Sequence, residues 1–234
     1  MSGEQAQAKK IFGDRPRTHL LKKYEQAAIS RLVRIIPLSC GPDMMTGIGF
    51  FGSLLVFASL VSARFFSPWF LWIAVAGFAI NWFGDSLDGR LAYYRNIPRK
   101  WYGFSLDVVM DWLSTAVTGL GAFVYLTGEW GKILAFLVVV MYGWAMILSQ
   151  LQFKITGTYK IDAGIMGPTE FRIVLALVIV MEFFYTGSLV YLLGIIFAIL
   201  LIINTINSKE LLSLADFADE EEKKSVSEVN SLDS

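Results

Sequence analysis

Apolar residues fill most of this chain in blocks of about twenty, set apart by short polar breaks. Blocks of that length match the hydrocarbon core of a bilayer and predict helices that cross it. Six such segments can be read, at 44–63, 69–88, 104–126, 132–153, 168–186 and 188–206. The run from Ile173 to Ile203 is too long for one crossing, and Thr186-Gly187-Ser188 is the place where it is expected to turn. Ahead of the first block, Leu20, Leu21, Tyr24, Ala27, Ala28, Leu32, Ile35 and Ile36 recur at three- and four-residue spacing, with Lys22, Lys23, Arg31 and Arg34 mostly off that face. That spacing predicts an amphipathic helix, suited both to an anionic membrane surface and to packing on the end of the bundle. The expected fold class is an all-α integral membrane protein with six transmembrane helices plus an N-terminal amphipathic juxtamembrane helix.

Composition agrees with that class. The chain has 234 residues, is 55% hydrophobic and has a mean hydropathy of +0.55. Three regions follow: a basic arm with the amphipathic helix at 1–36, the spanning domain at 37–206, and an acidic tail at 207–234. The tail is expected to be disordered. The net charge is zero, but basic residues gather on one side of the predicted spans: the N-terminal arm, then Arg90, Arg95, Arg99 and Lys100, then Lys154 and Lys160, then Lys209. The opposite loops hold Arg64 and Lys132. Cytoplasmic loops collect Lys and Arg, so both termini are expected in the cytoplasm. A single cysteine, Cys40, leaves no internal disulfide, and the one histidine, His19, lies in the basic arm. The polar N-terminus does not read as a signal peptide, and nothing points to nucleic acid as a partner.

The polar residues that break the pattern most sharply are four aspartates. Asp85, Asp88, Asp107 and Asp111 lie at the inner ends of the second and third predicted spans. A carboxylate in hydrocarbon costs roughly 3 kcal/mol or more, so such residues are paired or functional. Spacings of three and four put each pair on one helical face. If the two spans pack side by side, all four carboxylates converge, and they repel one another unless cations lie between them. An oxygen-only ligand set suits Mg²⁺, Mn²⁺ or Ca²⁺. Two metals roughly 4 Å apart would stabilise both ends of a phosphoryl displacement. Gly89 and Gly103 permit close approach of a ligand to the backbone, and Pro98 breaks the connecting segment.

The run D-x2-D-G-x2-A…G-x3-D-x3-D, from Asp85 to Asp111, resembles the signature of the CDP-alcohol phosphotransferases, integral membrane enzymes with six spans. Pro42, Asp43 and Thr46 resemble the P-N-x-x-T that often opens that domain, with Asp for Asn. Gly167, Glu170 and Arg172 resemble a G-x-x-E-x-R before the fifth span. The resemblance covers roughly residues 37 to 206. It implies that Asp85, Asp88 and Asp107 bind one divalent cation and that Asp85, Asp107 and Asp111 share a second, Mg²⁺ or Mn²⁺. Asp111 would also be the general base. Gly89, Ala92 and Gly103, with Thr46, would line the CDP pocket. Tyr93 stands where the family usually has Arg, and the interval to Gly103 is one residue longer than usual; Arg95 is the candidate to supply the missing charge.

The reaction implied is transfer of a phosphatidyl group from a CDP-alcohol, CDP-diacylglycerol above all, to a small polar alcohol, releasing CMP. Lys154, Lys160 and Arg172 flank the same surface and are candidates to bind a phosphorylated polyol such as glycerol phosphate or inositol phosphate. The alternatives are a lipid acceptor with a soluble CDP-alcohol donor, a cation transporter, and an inactive scaffold relative. Confinement of the aspartates to one depth favours an enzyme over a conduction path. The family also implies residence in a bilayer, a bacterial inner membrane by size and type, and homodimers. Among other polar residues, Glu182 is expected to reach the far interface, and Asn81 and Asn204 to donate hydrogen bonds between helices. Gly119, Gly121, Gly143 and Gly194 are expected at close helix contacts, and Trp69, Trp72, Trp101, Trp130 and Tyr185 at the interfaces.

Overall fold

Long apolar blocks bounded by Pro and Gly dictate helices, because in lipid each backbone polar group must be satisfied within its own segment. The computed structural model describes residues 22–157 and 168–232, and among them all regular structure is helical. In chain order the helices are α1 (Lys22–Ile35), α2 (Pro42–Phe65), α3 (Leu71–Tyr94), α4 (Lys100–Tyr125), α5 (Glu129–Thr156), α6 (Pro168–Phe184) and α7 (Ser188–Leu232), with a 3₁₀ turn at Pro68–Phe70 before α3. Five of them, α2 to α5 and α7, are long and apolar enough to cross a membrane. The sixth expected span, 168–186, forms the 17-residue α6, shorter than the roughly 20 residues a crossing usually takes. It lies within the bundle, with Val178 and Ile179 buried against α3 and α7.

The helix ends follow local chemistry. α2 starts on Pro42, where a missing N–H costs nothing. α3 continues one and a half turns past Asp88 and stops at Asn96, whose φ of 59° is left-handed. There Asn96 N–H donates to the Tyr93 carbonyl and Ile97 N–H to that of Ala92, a Schellman closure. Pro98 then separates α3 from α4. Gly157, at φ 66°, ends α5, and Gly187, at φ 95°, makes the expected turn between α6 and α7.

The tightest seam joins α2 and α3. A Cβ on Gly52 would overlap the backbone of Gly77 and Asn81, and one on Gly84 would overlap that of Gly49 and Met45. Small residues let helices in lipid approach closely where apolar burial cannot drive them together. The expected contacts at Gly119 and Gly143 are present, against Val139 and the Trp112 ring, and Gly121 abuts Phe57 and Leu60. Asn81 donates to the Gly49 carbonyl and to Ser53 Oγ, both at 3.0 Å, and Asn204 donates to the Met141 carbonyl at 2.7 Å. Trp69, Trp101, Trp130 and Tyr185 are exposed.

Three expectations need correction. The buried face of α1 is Glu25, Ile29 and Val33, packed on Met45, Leu87 and Leu91, whereas Tyr24, Ala27 and Ile35 of the predicted face are exposed. Four-residue spacing recurs on both stripes, and docking on α3 selects the one with Ile29 and Val33. Leu20 and Leu21 lie outside the described residues. Glu182 does not reach the interface: it is 2% exposed and accepts from Tyr125 Oη, Ser188 Oγ and the N–H groups of Gly187 and Leu189. Its carboxylate caps α7, whose first N–H groups have no helical partner. The acidic tail is helical, as α7 runs on to Leu232. A preceding span removes the nucleation cost, and Asp219–Lys223 and Glu220–Lys224 are favourable four-residue pairs.

Candidate active site

The site forms between the second half of α3 and the first half of α4, both of which pack on α2. α3 carries Asp85 and Asp88, α4 carries Asp107 and Asp111, and each spacing turns both carboxylates of a pair to one face. Asp85, Asp107 and Asp111 each offer an oxygen within 4.8 Å of the others. The two oxygens of Asp88 accept from Thr46 Oγ1 at 2.7 Å and the Gly89 N–H at 2.5 Å. Three of the four expected aspartates thus come together, while Asp88 is turned toward α2. Position along α3 is set by the glycine seam: a Cβ on Gly49 would come within 3.1 Å of the Asp85 nitrogen.

Arg172, in the first turns of α6, is drawn into this cluster. Its Nη2 lies 2.8 Å from Asp85 Oδ2 and 3.6 Å from Asp111 Oδ1, and its Nε donates to Asn81 Oδ1 at 2.6 Å. Its side chain is 13% exposed and that of Asp85 22%, so the pair is largely out of water. The guanidinium supplies positive charge among carboxylates that would otherwise repel. Phe171 beside it stacks on Tyr142 of α5, with ring centres 5.4 Å apart. A donor set of carboxylate oxygens without nitrogen or sulfur fits a hard divalent cation such as Mg²⁺ or Mn²⁺.

The residues expected around CDP divide. Open space faces both Gly89 and Gly103, with no atom within 4 Å of a Cβ built there. Ala92 is 9% exposed and belongs to the packed side of α3. Arg95 is taken up by the backbone, donating to the carbonyls of Cys40 at 2.6 Å, Pro37 at 2.8 Å and Ile36 at 3.1 Å. It clasps the α1–α2 linker, since these carbonyls follow the end of α1. Arg99, at the start of α4, bonds Asp43 at the start of α2 and covers the Tyr102 ring at 4.1 Å. Lys154 is exposed in the last turn of α5, and Lys160 lies outside the described residues.

Sequence reasoning missed the seam that positions Asp85, although glycines at 49, 52, 77 and 84 are a visible small-residue pattern. It also missed a hydrogen-bonded chain at the same end. Trp82 Nε1 donates to Thr169 Oγ1 at 3.2 Å, and Thr169 Oγ1 donates to Glu25 Oε1 at 3.0 Å, joining α3, α6 and α1. Below the aspartates, a cavity of about 110 Å³ opens into the bundle from Asp111 and Arg172.

No curated protein matches the chain. Residues 40–205 match the sequence profile of the CDP-alcohol phosphatidyltransferases, a span that takes in α2 to α6 and the spanning part of α7 with all four aspartates. With that match joined to the carboxylate cluster, the chain belongs to the CDP-alcohol phosphatidyltransferase family, membrane transferases of substituted phosphate groups that use divalent metals.

Proposed function

We propose that this enzyme transfers a phosphatidyl group from CDP-diacylglycerol to the hydroxyl of a second alcohol and releases CMP. The convergence of Asp85, Asp107 and Asp111 from two helices carries this reading. Asp85, Asp88, Asp107 and Asp111 would hold two divalent cations, Mg²⁺ or Mn²⁺. Cations held there would supply positive charge to neutralise the pyrophosphate and the leaving group. Asp111 takes the proton of the acceptor hydroxyl while the acceptor oxygen attacks the lipid-bearing phosphorus. The bond from that phosphorus to the bridging oxygen breaks, and its electron pair leaves with CMP. Thr46 orients Asp88, and Gly89 and Gly103 offer open backbone to the nucleotide. Arg95 contributes through the linker it holds, which leads into α2 and Thr46.

The acceptor in this reading is a small phosphorylated polyol, glycerol phosphate or inositol phosphate, with Arg172, Lys154 and Lys160 as the cations that meet it. One observation favours a second reading, a lipid alcohol as acceptor with a soluble CDP-alcohol donor: the cavity beside Asp111 is walled mainly by apolar residues. The bias of Lys and Arg supports a cytoplasmic aspartate end, and the membrane in this reading is a bacterial inner membrane.

The test is CMP release from CDP-diacylglycerol by purified protein with Mg²⁺ or Mn²⁺, offering glycerol phosphate, inositol phosphate, inositol and serine in turn. Release that needs one acceptor and vanishes in Asp111→Asn supports the reading. Equal release from wild type and Asp111→Asn, or from neither, sinks it.

A further inference from the structure

The start of α6 is fastened to α3 at two neighbouring points. Arg172 reaches Asn81 and Asp85. Three residues earlier, on the same face of α6, Thr169 Oγ1 accepts from Trp82 Nε1 at 3.2 Å. These α3 partners all fall within 81–85, the stretch that leads into the aspartate cluster. The Thr169 hydroxyl also donates to Glu25 Oε1 of α1 at 3.0 Å. Both residues are buried, Thr169 at 9% and Glu25 at 6% exposure. A carboxylate taken out of water costs free energy unless it is hydrogen-bonded, and docking alone does not call for one. The rest of the buried stripe of α1, Ile29 and Val33, is apolar, and a well-packed apolar residue commonly does as well as a buried charge.

We infer that Thr169 and Glu25 are positioning residues for Arg172. Glu25 orients the Thr169 hydroxyl, Thr169 holds the first turn of α6 to Trp82, and that turn delivers the guanidinium to Asp85 and Asp111. The stack of Phe171 on Tyr142 holds the same turn against α5, but apolar contact is non-directional. Two hydrogen bonds on one hydroxyl are directional and fix rotation about the helix axis. At a helix radius of about 6 Å, a turn of about 20° moves a side-chain head by about 2 Å, enough to break the 2.8 Å contact between Arg172 and Asp85. α1 thereby belongs to the machinery of the site as well as to its packing. The kinetic consequence rests on the proposed reaction, in which Arg172 meets the acceptor; the placement of Arg172 does not.

Mn²⁺ binding to the purified full-length protein, followed by the EPR signal of the free ion, reads Arg172 without turnover, because guanidinium and cation compete for the same carboxylates. Thr169→Val keeps the shape and removes both hydrogen bonds. It is expected to bind Mn²⁺ about fivefold more tightly, the shift that loss of one net hydrogen bond allows, with Thr169→Ser restoring the wild-type value. Glu25→Leu is expected to shift the same way, and Glu25→Gln, which keeps an oxygen for Thr169, to stay near wild type. Added to Arg172→Gln, Thr169→Val is expected to change nothing further. Unchanged affinity in both Thr169→Val and Glu25→Leu overturns the inference, and so does a full shift in the Arg172→Gln background. If wild type takes up no Mn²⁺, metal-free thermal unfolding supplies the same cycle, and losses for Thr169→Val and Arg172→Gln that simply add overturn it. In turnover, Thr169→Val is expected to raise KM for the acceptor that wild type uses by about fivefold and to leave KM for CDP-diacylglycerol unchanged. Equal rises in both, as general loosening would give, overturn it. Wild-type protein that releases no CMP counts against the proposed reaction, while the Mn²⁺ and unfolding cycles still decide the positioning.

Discussion

Arg172 Nη2 lies 2.8 Å from Asp85 and 3.6 Å from Asp111, so one guanidinium on α6 ties together carboxylates from α3 and α4. A divalent cation held by the same carboxylates competes with it. Arg172→Gln is expected to destabilise the metal-free protein by roughly 3 kcal/mol, the usual cost of removing one partner of a largely buried pair. The variant is also expected to bind Mn²⁺ more tightly than wild type. Thermal unfolding with and without Mn²⁺ checks both. A variant that gains no more from the metal than wild type contradicts the competition.

The hydrogen bond from Thr46 to Asp88 ends on a carboxylate, and bonds to charged groups contribute about 1.5–3 kcal/mol. Thr46→Val is expected to lower kcat/KM for the CDP-alcohol by roughly tenfold or more, with Thr46→Ser restoring most of it. Steady-state kinetics at saturating metal measure the difference. Equal kinetics for Val and wild type would show that Asp88 needs no such partner.

Two glycines in neighbouring turns of α3 should behave oppositely. Gly84 meets the backbone of Gly49 and Met45, whereas Gly89 faces open space. Gly84→Ala is expected to cost about 1–3 kcal/mol or more through overpacking, seen as a lowered melting temperature or loss of monodisperse protein. Gly89→Ala should fold as wild type and raise KM for the CDP-alcohol. A normal melting curve for Gly84→Ala would contradict the seam.

Arg95 is a direct test of contact against position. Its three bonds to the carbonyls of Ile36, Pro37 and Cys40 predict that Arg95→Ala speeds hydrogen exchange across residues 36–41 and α1. A group acting only on the nucleotide would raise KM and leave that exchange unchanged.

The features that were legible in the sequence depend on short separations. The three- and four-residue spacings of the aspartates, the turn at Gly187 and the stop before Pro98 are local facts, and helix geometry carries them into three dimensions. What was not legible depends on which helices become neighbours. Arg172 reads as a cation for a phosphorylated acceptor until α6 is set beside α3, where Asp85 and Asn81 await it. Glu182 reads as an interfacial acid until the Gly187 turn folds the start of α7 back over it. For α1, two apolar stripes compete, and only the surface formed by Leu87 and Leu91 decides between them. The tail beyond Asp216 has the composition of a disordered segment, but it is joined to a helix already nucleated.

The glycine seam also has a mechanical consequence. Asp85 and Asp88 ride on a helix held backbone to backbone against α2, while Asp107 and Asp111 ride on α4, where Gly121 alone is fully buried among 26 residues. α4 nevertheless packs on α2 as well, with Gly121 against Phe57 and Leu60. α2 is thus the common datum for both pairs of carboxylates, and a shift of that one helix displaces the whole cluster together.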